Sequence, residues 1–189
     1  VQTKPLTQMQ FALGFPTLPR DHADQRAIKL LALILGGTMS SRLFIEVREK
    51  RGLCYSIRAG VDSYDEVGTF TIRAGLDATR LPQAVSVIQA ECRKMVSRGV
   101  TAKELSMAKE HVRGSMALQL EDSSSQAEFF GRQELFLGMV KTPQQRLKEL
   151  ESVTAEQIRR VAGEILRPDR MSAAAIGPMD EQKILKLIR

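Results

Sequence analysis

Three patterns in this 189-residue sequence predict an α+β fold, an antiparallel sheet with helices packed on one side. Period-2 alternation appears early, over Met9 to Phe15, and again in a pair of runs from Tyr55 to Leu76. From Thr101 onward the sequence turns helical, with three capping boxes. The order strand, two helices, hairpin, a run of helices and a last strand gives an antiparallel sheet with its helices segregated to one side.

The elements follow in order. Met9, Phe11, Leu13 and Phe15 alternate with Gln8, Gln10, Ala12 and Gly14, a strand with one buried face that Pro16 is expected to end. From Asp24 to Leu35, Ala27, Ile28, Leu31 and Leu35 recur at helical spacing, and Gly36-Gly37 reads as the C-terminal cap. Ser40 and Ser41 start a short basic helix, which Gly52 stops, and a strand opens on Tyr55. Tyr55, Ile57, Ala59 and Val61, then Phe70, Ile72, Ala74 and Leu76, form an antiparallel hairpin around Ser63 to Gly68.

Pro82 lies in the first turn of a helix running to Gly99. Thr101 with Glu104, Thr142 with Gln145 and Thr154 with Gln157 each start a further helix. Another helix begins at Asp122-Ser123-Ser124-Ser125 and carries Phe129, Phe130 and Leu135. Met171 to Ile176 reads as a short strand after Pro168, and Asp180 to Arg189 as a terminal helix. No repeat or linker divides the chain, so residues 1–189 are expected to form one domain.

Composition narrows the class. Hydrophobic residues at 43% and charged ones at 26% are ordinary for a globular protein. The longest apolar stretch, Leu30 to Leu35, is far too short for a membrane span, so no membrane partner is expected. Val1 to Thr7 lacks the layout of a signal peptide and reads as a cut point, which suggests a fragment or processed product. The net charge of +6 is dispersed, and the densest patch, Arg42 to Arg51, is interrupted by Glu46 and Glu49. A solvated helix face with i,i+4 pairs accounts for it, so no nucleic-acid partner is expected; a basic α+β nucleic-acid-binding module is the alternative from another class.

The reactive residues point away from catalysis by this chain alone. Zinc peptidases hold the metal on two histidines one helical turn apart, with a glutamate to activate water. Here His22 and His111 are far apart, and beside Glu110-His111 the position of the first ligand is Met107, so no metal site and no bound cofactor are expected. There is no GxSxG elbow for a serine nucleophile and no phosphate loop around Gly36-Gly37. Cys92 falls on the apolar stripe of its helix and reads as buried, whereas Cys54 stands at a strand entrance and reads as more accessible.

Arg48 and Tyr55 differ from the other polar residues because one short unit of helix, Gly52 and strand entrance sets both. Spacing alone admits a plain reading: Arg48 as one more exposed base, and Tyr55 as an aromatic on the buried face of its strand. The surrounding run, Gly36-Gly37-Thr38-Met39-Ser40-Ser41-Arg42-Leu43-Phe44 with Arg48-Glu49-Lys50-Arg51-Gly52-Leu53-Cys54-Tyr55, resembles the signature of the C-terminal, inactive domain of the M16 or pitrilysin-type zinc peptidases. That family contains insulin-degrading enzyme and the mitochondrial processing peptidases, and the likeness is to a bacterial member. The match is dense over Leu33 to Ala59 and diffuse elsewhere; Cys54 stands where the family often has a small residue.

The resemblance implies the α+β fold of M16 peptidase domains and a role as the half of a zinc endopeptidase that carries no metal. In that role Arg48 and Tyr55, seven residues apart, reach a peptide substrate held by an HxxEH-bearing half, domain or subunit, where the zinc resides. It implies a chamber-forming module in the bacterial cytoplasm, or the periplasm, and admits a homodimer. Its rival within the family is a separate regulatory or structural subunit that takes no part in the chemistry.

Overall fold

The computed structural model describes residues 1–188, and Arg189, the end of the expected terminal helix, lies outside the described residues. A five-stranded sheet forms the base. Strand β1 is Gln2–Thr3, β2 Met9–Thr17, β3 Ser56–Ser63, β4 Gly68–Leu76 and β5 Ser172–Gly177, in the spatial order β1-β5-β2-β4-β3. All neighbouring pairs are antiparallel except β1 with β5, so the sheet is mixed, and the antiparallel expectation is corrected at that one edge. A two-residue strand carries no alternation for a sequence pattern to reveal.

Pro16 does not end β2. It pairs opposite Thr69 in β4. The β5 register stops at Gly14, so Pro16 borders no strand on that side, and its missing N–H breaks no ladder there.

The helices are α1 Gln25–Ala32, α2 Leu81–Arg98, α3 Ala102–Gln119, α4 Ser123–Leu137, α5 Pro143–Glu151, α6 Ala155–Ile165 and α7 Glu181–Ile188. Thr101, Thr142 and Thr154 form their capping boxes, and Asp122 caps α4 by accepting from the Ser125 N–H. One continuous core joins Phe11, Leu13, Phe70 and Ile72 of the sheet to Ile28 and Leu31 of α1, Val85 and Ile88 of α2, and Ile158 and Val161 of α6. Among the described residues the opposite face of the sheet is left open. Along β4, Thr69 and Arg73 point that way and are exposed while Phe70, Ile72 and Ala74 are buried.

Gly36-Gly37 works differently from a left-handed cap. After α1 the chain widens into a π turn, Leu33–Gly37, and Gly36 has φ −157°, which any residue adopts. The glycine is needed for approach: a Cβ at Gly36 would lie 2.5 Å from the Ala59 backbone nitrogen. The end of α1 therefore presses directly on β3.

Candidate functional site

The signature run folds into a compact unit at one end of the sheet. Ser41 is buried, and its hydroxyl donates back to the Thr38 carbonyl at 2.6 Å instead of capping the next turn. After Arg42 and Leu43 the helix opens into π geometry over Phe44–Glu49, with the Lys50 N–H reaching the Ile45 carbonyl at 2.9 Å. Such wide turns cluster at functional positions. Gly52 then adopts φ +59°, the one place in the run where a left-handed conformation is required, and turns the chain toward β3.

Arg42 locks this unit to the rest of the fold. Its guanidinium grips Glu104 at 2.6 and 2.8 Å and donates to the Gly99 carbonyl at 2.8 Å. Glu104 also closes the α3 capping box, so one carboxylate ties the signature helix to the start of α3. The Arg42 hydrogen bonds, aided by those from Thr101 and opposed by desolvation, hold the Glu104 carboxyl down to about 2. The exposed bases Lys50 and Arg51 pair with Glu46, as expected of a solvated helix face.

Arg48 is exposed, and its guanidinium lies 4.8 Å from the centroid of the Phe44 ring. Among the described residues it has no carboxylate or hydrogen-bond partner, so its fork is available to a ligand. The ring holds a planar cation in place without consuming its donors.

Tyr55 overturns the alternation read from the sequence. The strand begins one residue later, at Ser56, and Tyr55 sits in a bend with its N–H on the Gly75 carbonyl at 3.1 Å. The bend swings the ring onto the open face of the sheet, where it lies over Gly75; a Cβ there would fall 2.3 Å from the ring. Tyr55 is 45% exposed, and its phenol oxygen accepts from the Gln10 amide at 2.5 Å. Gln10 donates to that oxygen, so the phenol proton remains free for another acceptor.

Sequence reading missed Gln10, Gly75 and Phe44. Gln10 and Gly75 are register partners across β2 and β4, a relation that only the sheet creates. The available signal was slight: Gly75 occupies an outward position of an alternating strand.

A cleft of about 440 Å³ opens beside Tyr55, lined by Gln8, Gly52, Cys54, Asp77 and Arg80 among others. The Arg80 guanidinium donates to the Gly52 carbonyl, and Asp77 accepts from the Thr79 N–H at 2.8 Å. Cys54 and Cys92 are both buried, each 8% exposed, but Cys54 borders the cleft while Cys92 lies deeper in the core. Burial raises the Cys54 pKa and the nearby Arg48 opposes it, while burial pushes Cys92 up to about 12. Neither is poised as a thiolate nucleophile.

Among the described residues no group of three or more His, Cys, Asp or Glu side chains is placed to hold a metal, and no helix is long and apolar enough to cross a membrane. His111 is exposed on α3, and Glu110 beside it pairs with Arg113.

Known proteins resemble this chain in both sequence and fold. The profile of the peptidase M16 inactive domain matches residues 1–112. The chain is 37% identical over 175 residues to the uncharacterized zinc protease YmxG of Bacillus subtilis, covering 93% of this chain and 42% of that protein. It is 35% identical to an uncharacterized zinc protease of Mycobacterium tuberculosis, covering 94% and 40%. The chain thus spans less than half the length of these relatives. A crystal structure of a peptidase M16 inactive domain from Pseudomonas fluorescens superposes with a TM-score of 0.86 at 26% identity, covering 95% of this chain and 42% of that one.

Proposed function

Since this chain belongs to the peptidase M16 inactive-domain family, we propose that it is the half of an M16 zinc metalloendopeptidase that binds no metal and completes the active site of an HxxEH-bearing half. The observation that carries the proposal is the Tyr55 phenol, presented on the open sheet face with its proton uncommitted. Arg48 complements it from the neighbouring helix.

A zinc ion held by the HxxEH-bearing half would supply the activated water. This chain's residues act on the substrate. The Tyr55 O–H donates to the peptide oxygen as it gains negative charge, and Gln10 holds the phenol in place so that little reorganisation accompanies the step. Arg48 offers a planar pair of donors to a substrate carbonyl or carboxylate, which adds binding energy. The open face of the sheet forms one wall of the substrate chamber. A separate regulatory or structural subunit of an M16 heterodimer is the rival reading, and it requires nothing of the Tyr55 hydroxyl.

The decisive experiment joins this chain to its zinc-bearing half and measures turnover of one fluorogenic peptide. Tyr55→Phe keeps the ring and removes the donor, and loss of one such donor lowers kcat by about 100–1,000-fold. Arg48→Lys keeps the charge and loses the fork, so KM should rise. Arg51→Lys, whose partner is the exposed ion pair with Glu46, should change little. Wild-type kinetics for Tyr55→Phe would reject the active-site role and favour the structural subunit. By itself the chain should hold no stoichiometric zinc after dialysis.

A further inference from the structure

At the other end of β2, roughly 25 Å from Tyr55 by strand length, positive charge collects without a matching set of carboxylates. Arg20 precedes α1, Arg26 and Lys29 lie on α1, Arg132 on α4, Lys141 before α5 and Arg146 on α5. Glu149 serves three of these cations at once: Arg26 and Lys141 bind it directly, and Arg146 Nη1 is 3.7 Å away. Among the described residues the one carboxylate near Arg20 is Asp65 at 3.6 Å, its Nε and Nη2 donating besides to the Ser63 carbonyl at 3.3 and 3.2 Å, and the one near Arg132 is Glu128 at 3.2 Å; both carboxylates are largely in water. Lys29 has no carboxylate or hydrogen-bond partner among the described residues. Desolvation first, then repulsion from Arg146, Arg26, Arg132 and Arg20, lowers its pKa, although the residue keeps exposed surface.

The fold holds these cations together rather than letting them disperse. Buried Gln133 accepts from Arg146 Nε at 2.9 Å and Nη2 at 2.6 Å, and exchanges hydrogen bonds with the Lys141 backbone. The Arg20 and Arg132 guanidiniums lie 4.0 and 5.6 Å from the centroid of one ring, Phe136. Arg20 Nη1 is buried with no hydrogen-bond partner. Around the cations, Phe136, Met139 and Val140 are 42%, 50% and 50% exposed.

We propose that this basic and aromatic face, formed by α1, α4 and the loop into α5, docks an acidic segment of another polypeptide, one that also carries apolar side chains. Carboxylates arriving there would relieve repulsion among cations already fixed in position, which favours the bound state without further ordering. Arg, Phe and Met are residue types enriched in protein interfaces. The apolar rim selects a peptide over bare phosphate, because phosphate has no use for Met139 and Val140. The face shares no residue with the Tyr55 site, so it stands apart from the peptidase proposal.

The test uses the whole chain and a fluorescein-labelled twelve-residue peptide alternating Glu with Leu and Phe, read by anisotropy. A control peptide carries Lys in place of Glu, and inorganic tripolyphosphate is the competitor. We expect the acidic peptide to bind at least about tenfold more tightly than the control, and to weaken as salt rises. The double variant Lys29→Gln, Arg132→Gln should lose about tenfold, Phe136→Ala should also weaken binding, and Tyr55→Phe should bind as the wild type does. Thermal melts provide a second reading: the double variant should be as stable as the parent or more so, because it removes repulsion, whereas a structural role would lower its Tm. Absent or salt-insensitive peptide binding, binding unchanged in the double variant, or tripolyphosphate binding without peptide binding would each overturn the proposal.

Discussion

Helices α2 and α4 are of similar length and use their apolar residues in opposite ways. In α2, Leu81, Ala84, Val85, Ile88, Cys92 and Met95 are all buried in the core, where α2 packs on α6. In α4 the one buried residue is Gln133, and Leu135 is 77% exposed while Phe130 and Phe136 stand partly in water. The outer face of α3 behaves like α4, with Met107 and Leu118 exposed at 48% and 70%. The sheet with α1, α2 and α6 spends its apolar surface on its own core, which the hydrophobic effect stabilises. The α3–α4 side leaves apolar side chains in water.

This contrast is breakable by substitution. The largest effect should come from Phe70→Ala, which empties a fully buried position at the centre of the sheet. Urea unfolding should show a loss of about 3–5 kcal/mol. A loss under about 1 kcal/mol would mean that the sheet side does not hold the core.

Gly36→Ala should follow, since its methyl would be driven into the Ala59 backbone. Overpacking of this kind costs roughly 1–3 kcal/mol. Gly114→Ala is the matched control on α3, where a new Cβ meets nothing within 4 Å, and there the change should stabilise the helix slightly. Equal behaviour of the two alanines would show that the close approach of α1 to β3 is not what Gly36 provides.

An acid titration sharpens the seam between the two regions, because Glu104 joins Arg42 of the signature unit to the start of α3. Its folded pKa, about 2, lies below that of an unfolded glutamate, near 4.3. The stabilisation is therefore present above about 4.3 and is lost as pH falls through about 2. Stability measured from pH 6 to pH 2 should fall less steeply in Glu104→Gln than in the parent. Parallel curves would place the acid sensitivity elsewhere.

The smallest effect belongs to Leu135→Ser on the open side. Its side chain is already in water, so the change in unfolding free energy should stay within about 0.5 kcal/mol. A loss comparable with Phe70→Ala would erase the distinction between core and open side.

Much of this architecture is legible in the amino-acid order. The strand over Met9 to Phe15, the hairpin, the Pro82 helix and the three Thr capping boxes all appear where local chemistry places them, because alternation and capping act over a few residues. The Arg48 and Tyr55 positions are legible through the signature they sit in. What the sequence could not determine depends on elements distant in the chain. Gly36 reads as a cap until Ala59 is found against it, and Tyr55 reads as an inward aromatic until Gly75, a residue of the next strand, makes room for its ring on the open face. The Gln10 hydrogen bond to Tyr55 joins residues 45 apart, the gathering of Lys29 with Arg20, Arg132 and Arg146 spans most of the chain, and no local pattern encodes either. Periodicity determines which residues can face the core; only packing decides which polar groups meet, because that requires elements far apart in sequence to settle on one register.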